Sequence, residues 1–194
     1  MQLYEAGQYA AAIPLMEQVL AFVEQHLGPN NIDIAATVNL LGQMEYAQGN
    51  YAAAESLYQR ALQILETALG ENHPDVAFSL NNLALLYQAQ GKYDAAEPLY
   101  QCALQILGTV LGENHPSVAN SLNNLASLYQ AQGKYDAAEP LFQRALQILE
   151  TVLGEDHPDV ATSLNNLASC MKIRAIMMWL NRFINAPYRF EKLS

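Results

Sequence analysis

The chain repeats itself every 42 residues, and this feature restricts its fold more than any other. His73-Pro74, His115-Pro116 and His157-Pro158 keep that step, as do Tyr9, Tyr51, Tyr93 and Tyr135. Leu27-Gly28, Leu69-Gly70, Leu111-Gly112 and Leu153-Gly154 keep it too. Residues 75–116 and 117–158 differ at only seven positions. A unit this short cannot cover its own apolar surface, so each must be closed by its neighbours. The result is a linear array in which contacts run only between adjacent units.

Within a unit the apolar spacing is helical. Val76, Leu80, Leu83, Ala84, Leu86 and Tyr87 recur at steps of three and four, which predicts a first helix over 75–90. Gly91 ends it, because glycine tolerates the positive φ of a helix terminus. A second helix is predicted from Tyr93 to Leu111, burying Ala96, Leu99, Tyr100, Ala103, Leu104, Ile106, Leu107 and Val110. Gly112 ends that helix, and Pro116 opens the next one, where its missing N–H costs little. Pro14, Pro98 and Pro140 fall about a turn inside the second helices, where each removes a backbone hydrogen bond. Alanines at 84, 96 and 103 recur at 126, 138 and 145, marking places where two helices approach closely. The expected class is therefore all-α. It comprises a partial unit 1–32, repeats 33–74, 75–116 and 117–158, and a final first helix from 159. Residues 171–194 depart from the pattern.

Composition excludes several function classes. Apolar residues make up 52% and charged residues 14% of the 194, enough to build a sizeable core. Two cysteines, Cys102 and Cys170, form no CxxC pair and no disulfide framework, which fits a reducing compartment. The first residues show no basic stretch followed by an apolar run, and no uncharged apolar run approaches membrane-spanning length. The expected setting is cytoplasmic. Residues 1–170 carry four basic and eighteen acidic side chains, a balance of −14. That body should repel nucleic acid and anionic lipid. There is no phosphate-binding loop, dinucleotide motif, nucleophile elbow or HExxH, so neither catalysis nor a cofactor is expected. His73, His115 and His157 invite a metal reading. However, they sit one per unit, roughly 10 Å or more apart, whereas zinc needs its ligands within about 2.3 Å of one point. A role at helix starts fits them better.

The strings Leu83-Ala84-x-x-Tyr87, Gly91-x-Tyr93, Ala96, Tyr100 and Ala103 resemble the tetratricopeptide repeat signature. The 42-residue step is more particular. So are Asn81-Asn82-Leu83-Ala84, the stretch Gly91 to Tyr100, and Leu111-Gly112-Glu113-Asn114-His115-Pro116. Together they resemble the repeats of kinesin light chains and their bacterial relatives, over roughly residues 2–170. The resemblance implies a right-handed superhelical solenoid of antiparallel helix pairs. It also implies a concave groove, lined by first helices, that binds an extended peptide of a partner protein. Carried onto this chain, the family's groove positions are Ala36, Phe78, Asn120 and Thr162, and then Asn39, Asn81, Asn123 and Asn165. One turn on they are Gln43, Leu85, Ser127 and Ser169, and beyond those Tyr46, Gln88 and Gln130.

Two of the seven differences between the matched units, Phe78/Asn120 and Leu85/Ser127, fall on these positions, while core positions barely change. A fixed frame with a varied inner wall is what a binding array would show. The asparagines have two readings. Their amides suit a peptide backbone, or they bond a neighbouring helix. Asn82, Asn124 and Asn166 are read as structural, at the groove edge. Family members that clamp acidic groups use Lys or Arg on first helices, and here 33–48, 75–90 and 117–132 contain neither. The expected partner is a neutral or basic protein segment.

The last stretch is a separate problem. Residues 171–194 carry five basic and one acidic side chain, a balance of +4. Ala175 stands where the turn glycine should be, so the helix beginning near Pro158 can run to Pro187, about 28 residues or ~42 Å. Its apolar stripe is Ile173, Ile176, Met177, Leu180 and Ile184. A capping helix is the preferred reading, and an oligomer contact, a loosely ordered segment and a membrane-surface helix are the alternatives. Met1–Ala6 reads as the end of an incomplete first helix, leaving Tyr9–Leu27 with exposed apolar surface. An alternative function follows: a structural element that assembles with copies of itself through its open terminal helices.

Overall fold

The computed structural model describes residues 8–184, so the readings of Met1–Ala6 and of the stretch past Ile184 lie outside the described residues. Within the described residues eight α-helices follow one another: α1 (Tyr9–Leu27), α2 (Ala35–Ala47), α3 (Tyr51–Leu69), α4 (Pro74–Ala89), α5 (Tyr93–Leu111), α6 (Pro116–Ala131), α7 (Tyr135–Leu153) and α8 (Pro158–Ile184). A 3₁₀ turn, Ile32–Ile34, precedes α2, and there is no strand among the described residues. The fold is an all-α solenoid of repeated helix pairs.

The helix boundaries have local causes. The first helices α2, α4 and α6 end in paired bonds that leave few carbonyls orphaned. After α4, Gly91 N donates to Gln88 O at 2.9 Å and Lys92 N to Tyr87 O at 2.8 Å, with Gly91 at φ 73°. Only a glycine enters that left-handed conformation without strain. Each later first helix starts at His-Pro. The His73, His115 and His157 Nδ1 atoms accept the N–H of Asp75, Ser117 and Asp159 at 3.2, 3.1 and 3.2 Å. The histidines are N-caps, and proline fills the first helical position. Replacing His115 with alanine is expected to cost about 1 kcal/mol, read as a lower urea midpoint with an unchanged slope. In the first unit Asn31 and Ile32 replace His-Pro. Asn31 caps the 3₁₀ turn instead, accepting Asp33 N at 2.8 Å, so the helix predicted from 33 begins at Ala35.

The internal prolines do not break their helices. Pro14, Pro98 and Pro140 lie inside continuous α1, α5 and α7. Small residues set the helix spacing. Ala54, Ala61, Ala84, Ala96, Ala103, Ala126, Ala138 and Ala145 are fully buried where first and second helices cross. One core expectation is corrected. Val110 is 49% exposed, because it lies on the last turn of α5 beyond the reach of a neighbouring helix.

Curvature follows from which helices touch. Each first helix contacts the next first helix (α2 with α4, α4 with α6, α6 with α8), whereas consecutive second helices make no comparable contact among the described residues. The side lined by first helices is therefore the shorter one.

Candidate functional site: the wall of first helices

A hydrogen bond joins each first helix to the next. Asn39 Nδ2 donates to Ser79 Oγ at 2.9 Å, and Asn81 Nδ2 to Ser121 Oγ at 2.9 Å. Ser163 Oγ donates to Asn123 Oδ1 at 3.3 Å. All three serines are fully buried. Of the two readings of these asparagines, the geometry gives Asn39, Asn81 and Asn123 a partner in the adjacent helix. The remaining amide oxygens of Asn39 and Asn81 are enclosed, which leaves these side chains little to offer a ligand. Asn165, at the same position in α8, is exposed.

Two open cavities lie along the wall. The first, about 340 Å³ between α2 and α4, is lined by Ile32, Ala35, Ala36, Asn39, Gln43, Leu65, Asp75, Phe78 and Asn82. The second, also about 340 Å³, lies between α6 and α8 and is lined by Ser127, Gln130, Ala131, Tyr135, Asn166, Ser169 and Ile173. Expected positions are thus gathered in two groups, Ala36, Asn39, Gln43 and Phe78 in one, Ser127, Gln130 and Ser169 in the other. Asn82 and Asn166, read from sequence as structural, line these cavities. Asp75 and Ile32 were not anticipated. Both are helix-start residues, and the signal for them was their place one turn before Ser79 and Ala36.

The other expected positions divide. Phe78 and Leu85 are 44% and 41% exposed, unusual for large apolar side chains on helices otherwise well packed. Asn120, Thr162 and Asn165 are exposed. Gln88 accepts the Tyr100 hydroxyl at 3.1 Å and so is engaged within its own unit. Ser127 Oγ donates to Asn123 O at 2.8 Å, and Thr162 Oγ1 to Pro158 O at 3.1 Å. Tyr46 is half-buried, and its phenol is pushed above the usual range by burial and then by neighbouring Tyr51.

The cations of the array are occupied elsewhere. Arg60 pairs with Glu24 at 2.6 Å and bonds Pro29 O at 2.7 Å, while Arg144 bonds Asn114 Oδ1 at 2.7 Å. Lys92 and Lys134 stand over the rings of Tyr87 and Tyr129, 5.5 and 5.4 Å from the centroids. A second seam runs along the outer edge. The Tyr87 hydroxyl donates to Glu55 Oε1 at 2.9 Å, and the Tyr129 hydroxyl to Glu97 Oε1 at 3.0 Å. Both phenols are shifted upward, chiefly by burial. At the third junction Met171 replaces the tyrosine, and Arg174 from the next turn of α8 pairs with Glu139 and Asp136.

Comparison with known proteins agrees with this geometry. The tetratricopeptide repeat profile matches residues 1–67, 33–109, 80–151 and 117–174. No curated protein matches the sequence. Among solved structures, BtubC (BKLC) from P. vanneervenii superposes with a TM-score of 0.76 at 28% identity, covering 89% of this chain and 69% of that one. A P. anserina putative kinesin light chain with nearly identical TPR-like repeats gives a TM-score of 0.74 at 27% identity, covering 94% and 87%. A variant of that P. anserina protein gives 0.75 at 26% identity, covering 94% and 86%. The chain therefore belongs to the tetratricopeptide repeat family, a family of protein–protein interaction scaffolds, and its structural neighbours are kinesin light chain-like proteins.

Proposed function

We propose that the wall of first helices holds an extended segment of a partner protein that is neutral or basic in charge. The observation that carries this reading is the cavity between α2 and α4. It sets an exposed Phe78 and Ile32 beside the amides of Gln43 and Asn82 and the carboxylate of Asp75, with no cation among its lining residues. An apolar anchor on the ligand would stack against Phe78, the amides would meet its backbone, and Asp75 would favour a neighbouring Lys or Arg. Leu85 extends the apolar surface about two turns beyond Phe78 along α4. The basic side chains that would welcome an acidic segment are absent from α2, α4 and α6.

The test uses two peptides of equal length with one central leucine, flanked either by lysine and glutamine or by glutamate and glutamine. The basic peptide is expected to bind better by calorimetry, and added salt should weaken it. Phe78→Asn and Leu85→Ser each install the residue that the next unit already carries at that position, so folding is preserved. Together they should weaken binding by about tenfold or more, the loss of a buried apolar anchor. Equal affinity for the two peptides, or an acidic preference, would refute the charge reading.

A further inference from the structure

Beyond residue 170 the chain does not turn back to form a second helix, and α8 runs straight on to Ile184. Among the described residues, the face that a second helix covers in the earlier units is left open. Ala161, Leu164, Ala168, Met171, Ala175 and Met178 follow one another at alternating steps of three and four, the spacing of a helix-pairing seam, and all six are exposed. In α6 the corresponding Ala119, Leu122 and Ala126 are buried in the clusters completed by Ala138, Phe142 and Ala145 of α7. The preceding units therefore show what this face accepts: a closely approaching antiparallel helix.

We infer that the occupant is α8 of a second copy, paired antiparallel about a two-fold axis near Ala168 and Met171. That register sets every small residue opposite a large one: Ala161 against Met178, Leu164 against Ala175, and Ala168 against Met171. The seam is ~26 Å long. Charge supports the same arrangement. The acidic residues at the start of one helix (Glu155, Asp156, Asp159) come to lie beside residues 180–184 of the other, where the charged residue is Arg182. Antiparallel helix dipoles add to this. Seven large apolar side chains of α8 (Leu164, Met171, Ile176, Met177, Met178, Trp179 and Leu180) are 38% to 65% exposed. Leu164, Met171 and Met178 lie on the seam and Trp179 borders it, whereas Ile176, Met177 and Leu180 fall on other sides of the helix. The seam thus supplies part of the ~800 Å² that each partner buries in a standard interface. The contact is isologous, so it closes at two copies, unlike end-to-end stacking, which would grow open chains.

Sedimentation of the full chain from about 1 to about 100 µM, the range of a moderate interface, should show a monomer–dimer equilibrium that stops at two. Trp179 is the chain's single tryptophan, and its emission should shift to the blue across the same range. Ala161→Lys and Met178→Glu lie on exposed positions, and far-UV circular dichroism checks that both variants fold. Each alone should weaken pairing by about tenfold or more. Mixing the two restores one native contact and creates one Lys–Glu contact, so the mixture should recover pairing to within about threefold of the parent. Phe78→Asn should leave pairing unchanged, which keeps this result separate from peptide binding. A monomer at every concentration, open-ended chains, or a mixture that pairs no better than either variant alone would overturn the assignment.

Discussion

Tyr100→Ala is expected to be the most damaging single substitution in the array, at about 4 kcal/mol, the upper range for truncating a buried aromatic ring. Tyr100 is fully buried, and its ring lies among Ala84, Ala96, Leu125 and Leu128, so it fills the junction between two successive units. Burial pushes its phenol far above the ordinary value, which favours the protonated hydroxyl that donates to Gln88. The next unit supplies the control. Phe142 occupies the same position, equally buried and without a hydroxyl. Tyr100→Phe should therefore cost only about 1 kcal/mol, the net worth of one hydrogen bond. Urea unfolding followed at 222 nm separates the two. Similar losses for both variants would mean that the hydroxyl, not the ring, holds the junction.

Asn81→Ala is expected to cost about 2 kcal/mol, because it strips the partner from Ser121, a hydroxyl with no access to water. Asn165→Ala is the matched control. It removes the same side chain from the same helical position where that side chain is exposed, so stability should move by less than about 0.5 kcal/mol. The pair also separates the two roles first considered for these asparagines. A frame role predicts a large loss of stability at 81 and little at 165. A ligand role predicts matching losses of peptide affinity at both, with stability intact.

The architecture was legible because the constraints that define it are local and repeated. The helix ends were written in Gly91, in His115-Pro116 and in their copies, and the close crossings in the alanines at 84, 96 and 103. The serine–asparagine seam was harder to read. The bond joins Asn81 to Ser121, which is neither the same position of the next unit nor a neighbour in sequence. Yet a trace was present. Ser79-Leu80-Asn81, Ser121-Leu122-Asn123 and Ser163-Leu164-Asn165 share one pattern, whereas the first unit has Thr37-Val38-Asn39. The serine is missing only in α2, before which no first helix among the described residues carries an asparagine to meet it. The wall residues were only partly legible, because periodicity tells which side of a helix a residue is on, not which of two adjacent positions reaches the gap between helices. Asn82 and Asn166 show this. Asn82 sits one residue from the seam asparagine Asn81, and Asn166 one residue from Asn165 at the same repeat position, and the helix rotation turns each toward the opening.

The exchange of Met171 and Arg174 for the outer-edge tyrosine changes the character of one seam. Between earlier units, a protonated hydroxyl meets a carboxylate, a contact that dissolved salt hardly touches. At the last junction a guanidinium faces two carboxylates in a partly open setting, where mobile ions compete directly. The cohesion of the array is therefore uneven along its length. Ionic strength acts on this last junction, and on the Arg60–Glu24 pair near the other end, more than on the tyrosine–glutamate contacts between them.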